Sequence, residues 1–402
     1  MNATFFTRNR QSLAEKVQGG VVVLAAYTQL QRSNDMAFHF EQEANFWWLT
    51  GVERPDWWLI LDGARGKSWL VAPSVSQSHE IFDGSLSAEH AKQMSGVDAV
   101  ISRDEAKTLL QDLHKKHSVV YTLGDQPYAE HLDFVLNPAI KLLKEQLGRT
   151  FPTVHDCRKE LAQLRAIKQP EEIAAMQAAI NVTIDGFNIV KNKLSNATYE
   201  YEMEAEFNYY FRTHGADGHA YDPIVAGGKN ACTLHYVANS DKLKKRQLLL
   251  LDIGARTSGY AADITRTYAY GEPTKRQVQV HAAVQSAQRE IIATIQSNLS
   301  VEQYQRTVDT IMIDALLKLN LMSSRDDLKS YHTYFPHAIS HGLGVDVHDS
   351  LGSPQYLQPG MVLTVEPGIY IPEEGIGVRI EDDILVTVAG NTNMSRRLST
   401  DL

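Results

Sequence analysis

Residues Gln247–Tyr270 read QLLLLDIGARTSGYAADITRTYAY. Two apolar runs flank the polar tetrad Arg256-Thr257-Ser258-Gly259, the pattern of two strands joined by a tight turn. Asp252 lies in the first strand and Asp263 in the second. If Ala255 faces Tyr260 across a turn without a bulge, antiparallel pairing sets Asp252 directly opposite Asp263. Their Cβ atoms would then be about 4.5–5.5 Å apart on one face. Two ionised carboxylates so close, beside a run as apolar as Leu248–Leu251, repel each other and resist losing water. A cation between them removes both penalties.

The segment Met361–Val388, MVLTVEPGIYIPEEGIGVRIEDDILVTV, repeats the pattern, with its turn near Pro372–Gly375. Glu366 and Glu381 are symmetric about Glu373/Glu374, so they too face each other. Between the hairpins lies HAISHGLGVDVHD, residues 337–349. Each acid taken alone reads as the surface residue of an amphipathic strand, because Asp and Glu are rarely buried. Four such acids and a histidine read as an oxygen-rich site that suits Mn²⁺ and, less well, Co²⁺, Fe²⁺ or Zn²⁺. Two bridging and two terminal carboxylates can hold a pair of ions ~3.5–4 Å apart. A water shared by both ions would lose a proton near neutral pH and become a nucleophile.

The histidines divide by their surroundings. One of them is expected to be a metal ligand, and His341 sits between the small residues Ser340 and Gly342. His332 reads as structural. His337 and His348 flank His341 and can donate hydrogen bonds to a substrate carbonyl or a developing oxyanion, or can orient the metal ligands. Tyr221–His235 reads as a strand entering a glycine-rich loop, and His235 at its end has a similar case. Arg379 shares a strand face with Glu381 and can hold that carboxylate ionised and oriented, or form a surface ion pair worth little.

A chain of 402 residues suggests two domains. Its 43% hydrophobic and 22% charged content is that of a soluble globular protein. A net charge of −9 argues against nucleic acid as a partner. Two cysteines, Cys157 and Cys232, disfavour a disulfide framework and a thiolate metal site, in keeping with a reducing compartment. The N-terminus has no signal-like apolar segment and no run approaches the ~20 apolar residues of a membrane span. The expectation is a cytoplasmic protein without a membrane partner.

Residues 1–155 read as an α/β domain with a mixed sheet covered by helices. Its strands are expected at Val21–Ala26, Phe46–Thr50, Trp57–Asp62, Ser68–Val71 and Val119–Leu123. The Trp47-Trp48 and Trp57-Trp58 pairs read as core residues of strands, the alternative being that one of them projects into the site of a neighbouring subunit. Residues 156–402 read as helices, hairpin, helices, hairpin. Pro170 opens a helix whose apolar face is Ile173, Met176, Ile180, Ile184 and Phe187. Two similar halves would each bring a carboxylate hairpin to a site where they meet. The fold class is α/β (α+β).

The motifs LLLLDIG…AADITRT, HAISHGLGVDVHD, LTVEPGIYIP and GVRIEDD resemble those of the pita-bread metallopeptidases, nearest to aminopeptidase P and the prolidases. The likeness runs across most of Leu164–Val388. RSNDMAFHFEQEANFWWLTGVERPDWWLIL, from about Arg32 to Asp62, resembles the aminopeptidase P N-terminal domain. The resemblance implies a C-terminal pita-bread domain and two divalent ions per subunit, Mn²⁺ foremost. Asp252 would chelate one ion, Asp263 and Glu381 would bridge both, and His341 and Glu366 would complete the second. Glu366 would also shuttle a proton to the leaving group. His235, His337 and His348 match substrate-handling histidines, and Arg379 the arginine behind the ligands. The implied substrates are peptides with proline second, and the implied assembly is a homodimer or homotetramer. The short turn between Pro372 and Arg379 departs from the aminopeptidase P pattern and bears on substrate length. An aminopeptidase is expected over a strict dipeptidase. A non-catalytic binding module on the same scaffold is the reading from another class.

Overall fold

The computed structural model describes residues 1–125 and 135–402. The chain divides into two compact units, Met1–Leu164 and Arg165–Leu402.

In the first unit the run Val21–Ala25 is buried on both faces, as a continuous apolar strand requires. It pairs antiparallel with Trp58–Asp62 and parallel with Val119–Thr122. Lys67–Val71, Ala99–Ile101 and Thr153–Asp156 complete a mixed six-stranded sheet. Val21, Val23 and Ile60 pack against Leu110 and Leu113 of the helix Arg103–His114 and Leu143 and Leu147 of Ala139–Gly148. One expected strand is a helix. Ala44–Thr50 is helical, with the Glu43 carboxylate accepting the Phe46 N–H at 2.7 Å and Gly51 ending it at φ 69°. All seven of its residues are buried, so no polar face betrays the 3.6-residue period. Trp47 and Trp48 are core residues, on a helix rather than a strand.

In the second unit the helix Pro170–Lys193 starts at Pro170 and buries Met176, Ile180, Ile184 and Phe187. Phe187 meets Phe207 of the helix Glu200–Thr213 with ring centroids 5.0 Å apart. Contrary to the sequence reading, the stretch Pro170–Asn196 is long and apolar enough to cross a membrane by composition. Its apolar side is occupied within the unit, as in a core helix.

Gln247–Ile253 lies between Ile224–Gly227 and Ile264–Tyr270. The aspartate hairpin departs from the expected register. Thr257, not Ala255, faces Tyr260, and Asp252 faces Thr265. The turn is only Ser258-Gly259, at φ 52° and 79°, the left-handed pair of a two-residue primed turn. A register change of two residues leaves side-chain parity intact, so Asp252 and Asp263 still share a face, diagonally. The glutamate hairpin has the expected register. Val365 pairs with Asp382 and Gly368 with Arg379, which sets Glu366 opposite Glu381 between the two ladders.

The hairpins meet edge to edge. The Glu381 N–H donates to the Thr265 carbonyl at 3.0 Å, and Thr267 Oγ1 donates to the Arg379 carbonyl at 3.0 Å. The helix Lys275–Thr294 packs against the glutamate hairpin and Val301–Lys318 packs on that helix, with Val284, Ile291, Val308, Met312, Val365, Ile369 and Ile380 in one core.

Candidate active site

Where the hairpins meet, a cavity of about 700 Å³ opens. Asp252, Asp263, Glu366, Glu381, Arg379, His235, His337, His341 and His348 all line it. His332 lies elsewhere, on the short helix Leu328–Tyr334.

Each acid is held by name. Asp252 accepts from Arg379 at 2.5 Å through Oδ2. Tyr221 Oη lies 2.6 Å from Asp252 Oδ1 and 2.6 Å from Asp263 Oδ1. A phenol has one proton, so it donates to only one of them at a time. Thr265 Oγ1 donates to Glu381 at 2.7 Å. His341 Nε2 is 3.4 Å from Asp263 and 3.5 Å from Glu366. One oxygen or nitrogen each of Asp263, His341 and Glu381 falls within a 4.8 Å cluster. Arg379 also reaches Tyr370 Oη at 2.8 Å and Thr265 Oγ1 at 3.1 Å, so one guanidinium braces both hairpins.

The electrostatics record the crowding. Burial raises the Asp252 carboxyl above its usual range; Arg379 opposes this and the Asp263 charge adds to it. Burial and the charges of Asp263, Glu366 and Asp252 push Glu381 far up. Burial lifts Glu366 to about 7 against the pull of His341 and Arg379. Burial lowers His341, but its contact with Asp263 and the charges of Asp263 and Glu366 outweigh this and raise it to about 9. Burial and Arg379 hold His337 down at about 4, and burial and His341 lower His348.

These residues fit divalent cations. Four carboxylates converge, and the one arginine among the nine lining residues named above leaves Glu381 and Glu366 resisting ionisation. His341 Nδ1 lies 3.0 Å from the Gly342 carbonyl, which favours the tautomer with Nδ1–H and a free Nε2 lone pair on the carboxylate side. That is how a metal-ligating imidazole is oriented.

Sequence reasoning missed Tyr221 and Asp383. Tyr221 precedes the strand whose Ile224 pairs with Asp252, a pairing no local pattern encodes. Asp383 had a signal. It lies two residues after Glu381 on the same face, is fully buried, and accepts the Asp263 N–H at 3.3 Å.

A buried carboxylate cluster at the junction of two hairpin-bearing halves defines the pita-bread class of metallopeptidase. The description "Metallopeptidase family M24" matches residues 174–388, and "Aminopeptidase P, N-terminal domain" matches residues 6–121. The chain is 34% identical to the Xaa-Pro aminopeptidase of Escherichia coli over 97% of this chain and 94% of that one. It is 35% identical to human Xaa-Pro aminopeptidase 3, over 91% of this chain and 76% of that protein. The solved structure of E. coli aminopeptidase P with the inhibitor Pro-Leu superposes with a TM-score of 0.87 at 31% identity, covering 100% of this chain and 96% of that one. The chain belongs to metallopeptidase family M24.

Proposed function

We propose that this cavity removes the first residue from peptides whose second residue is proline, with Asp252, Asp263, His341, Glu366 and Glu381 holding two divalent ions. The chain is a metalloexopeptidase that hydrolyses Xaa-Pro bonds, as its family and its likeness to Xaa-Pro aminopeptidases over nearly their whole length require. The observation that carries the site assignment is the convergence of all nine side chains on one cavity. Mn²⁺ is the proposed ion, because four of the five donors are carboxylates.

Divalent ions bound there supply Lewis-acid polarisation and lower the pKa of water. The chain's own groups do the rest. Glu366, which lines the cavity 3.5 Å from His341, is assigned the transfer of a proton to the leaving group. The leaving nitrogen belongs to proline and carries no N–H in the peptide, so it must gain a proton to depart. His337 and His348 stay neutral at pH 7, so they hydrogen-bond substrate without adding positive charge. His235 is assigned to substrate binding beside them. Arg379 keeps Asp252 ionised and oriented.

A cytoplasmic location is proposed from the two free cysteines. A homo-oligomer is proposed from Ile81 and Phe82, which lie 72% and 84% exposed on a helix that buries none of its residues. Light scattering on the purified protein tests the assembly. Incubation of the Mn²⁺-supplemented protein with Xaa-Pro dipeptides and with longer Xaa-Pro-Yaa peptides tests the activity, with bound metal measured on the same sample. Release of the first residue from the longer peptides is expected; cleavage of dipeptides alone would make it a dipeptidase.

A further inference from the structure

We propose that Arg165, Lys168 and Asp349 form a buried ionic clamp that positions His348. The inference rests on the reading of His348 as a substrate-binding group. The loop that carries it leaves the sheet at Gly342 and returns at Asp349, where the two residues bridge and the Asp349 N–H donates to the Gly342 carbonyl at 2.8 Å. This excursion brings the His348 ring back over His341, with centroids 4.2 Å apart. His341 is also fixed from the strand side, where its N–H donates to Thr364 Oγ1 at 3.2 Å and its carbonyl accepts the Thr364 N–H at 3.0 Å. The His348 side chain has no such hydrogen bond among the described residues, so its place depends on the loop backbone.

The next residue anchors that backbone. Asp349 Oδ1 meets Arg165 at 3.0 Å and accepts the Ser350 N–H at 2.8 Å, while Oδ2 meets Lys168 Nζ at 3.2 Å. Lys168 Nζ also donates to the Arg165 carbonyl at 2.6 Å, and Arg165 reaches forward to Asp346 at 3.2 Å. The side chains of Arg165, Lys168 and Asp349 are 5%, 1% and 4% exposed. The loop is drawn tight on them: a Cβ on Gly344 would lie 2.1 Å from Asp349 Oδ2 and 3.0 Å from Lys168 Nζ.

A buried ion pair contributes little net stability compared with well-packed apolar residues of the same volume. Its directional contacts fix geometry, and here they fix the residue adjoining His348. A misplacement of about 1 Å can cost on the order of a hundredfold in rate. These three are positioning residues; none is required to touch substrate.

A double-mutant cycle between Lys168→Met and His348→Ala tests the clamp, reading kcat and KM on an Xaa-Pro-Yaa tripeptide, bound Mn²⁺ and Tm. His348→Ala is expected to lower kcat/KM about tenfold or more, as for loss of a hydrogen-bond donor to the reacting group. Lys168→Met is expected to lower the same parameter with bound Mn²⁺ unchanged, and to add less than about twofold in the His348→Ala background. If Lys168→Met costs the same factor in both backgrounds, the clamp is wrong and His348 keeps its role. If His348→Ala is itself without effect, both readings fall. Should Lys168→Met not fold, Asp349→Asn takes its place in the cycle, with the same expected and contrary results.

Discussion

Tyr221 shows how much of this site depends on single protons. Its hydroxyl lies 2.6 Å from both aspartates, and burial with the charges of Asp252 and Asp263 keeps it from ionising. Removing the hydroxyl takes away the single proton that Asp252 Oδ1 and Asp263 Oδ1 share. Tyr221→Phe is therefore expected to weaken Mn²⁺ affinity or turnover by about 10–100-fold, the usual cost of losing a group that orients ligands. Titration against a competing chelator measures it, and wild-type affinity with wild-type turnover would remove Tyr221 from the site. Asp263→Asn keeps the side chain's shape but removes the charge at the centre of the cluster. We expect an intact fold by circular dichroism and no turnover; near-normal turnover would contradict the assignment of Asp263 as a shared ligand. The acids were legible in the sequence because alternation along a strand is a strict rule, and parity survives a register error of two residues. Tyr221 was not, since it enters from a loop ahead of an edge strand.

At the scale of elements, the hairpin turns decide whether the acids meet. In the glutamate hairpin Gly375 closes the turn at φ 62°, and the register could be read from symmetry about Glu373/Glu374. In the aspartate hairpin the turn residues are Ser258 and Gly259, both left-handed. Serine is an uncommon occupant of that conformation, so RTSG reads as a four-residue turn when the chain makes a two-residue one. The same reasoning predicts two substitutions of opposite sign. Ser258→Asn supplies a residue that favours positive φ and is expected to raise the urea midpoint slightly. Gly259→Ala places a Cβ at φ 79°, which costs about 1–2 kcal/mol. Equal midpoints for the two variants would show that this turn does not set the register. The helix Ala44–Thr50 escaped the sequence for a different reason: burial on every side erases the amphipathic stripe by which helices are recognised.

Across the whole molecule, folding gathers the acids into one buried cluster, and this links stability to pH. Glu366 rises from 4.5 to about 7, so the unfolded chain releases its proton first and folded stability falls as pH climbs through that window. His341 rises from 6.5 to about 9, so its contribution is complete below 6.5 and is lost as pH rises through 9. Each shift corresponds to about 3 kcal/mol at most, and the two do not add, because each group is the other's counter-charge. His219, His281 and His337, lowered to about 4 by loss of solvent, act in the opposite sense, but only between about 4 and 6.5. From pH 7 to 9 those three no longer oppose the trend. The metal-free protein should therefore lose Tm steadily across that interval. Saturating Mn²⁺ should reverse the slope, because its ligands bind deprotonated and the ion replaces the missing positive charge, adding about 2.7 kcal/mol at a hundred times Kd. Thermal melts at pH 7, 8 and 9, with Mn²⁺ and with chelator, measure both slopes. A metal-free Tm that holds level to pH 9 and does not respond to Mn²⁺ would mean that these carboxylates are not the cation site.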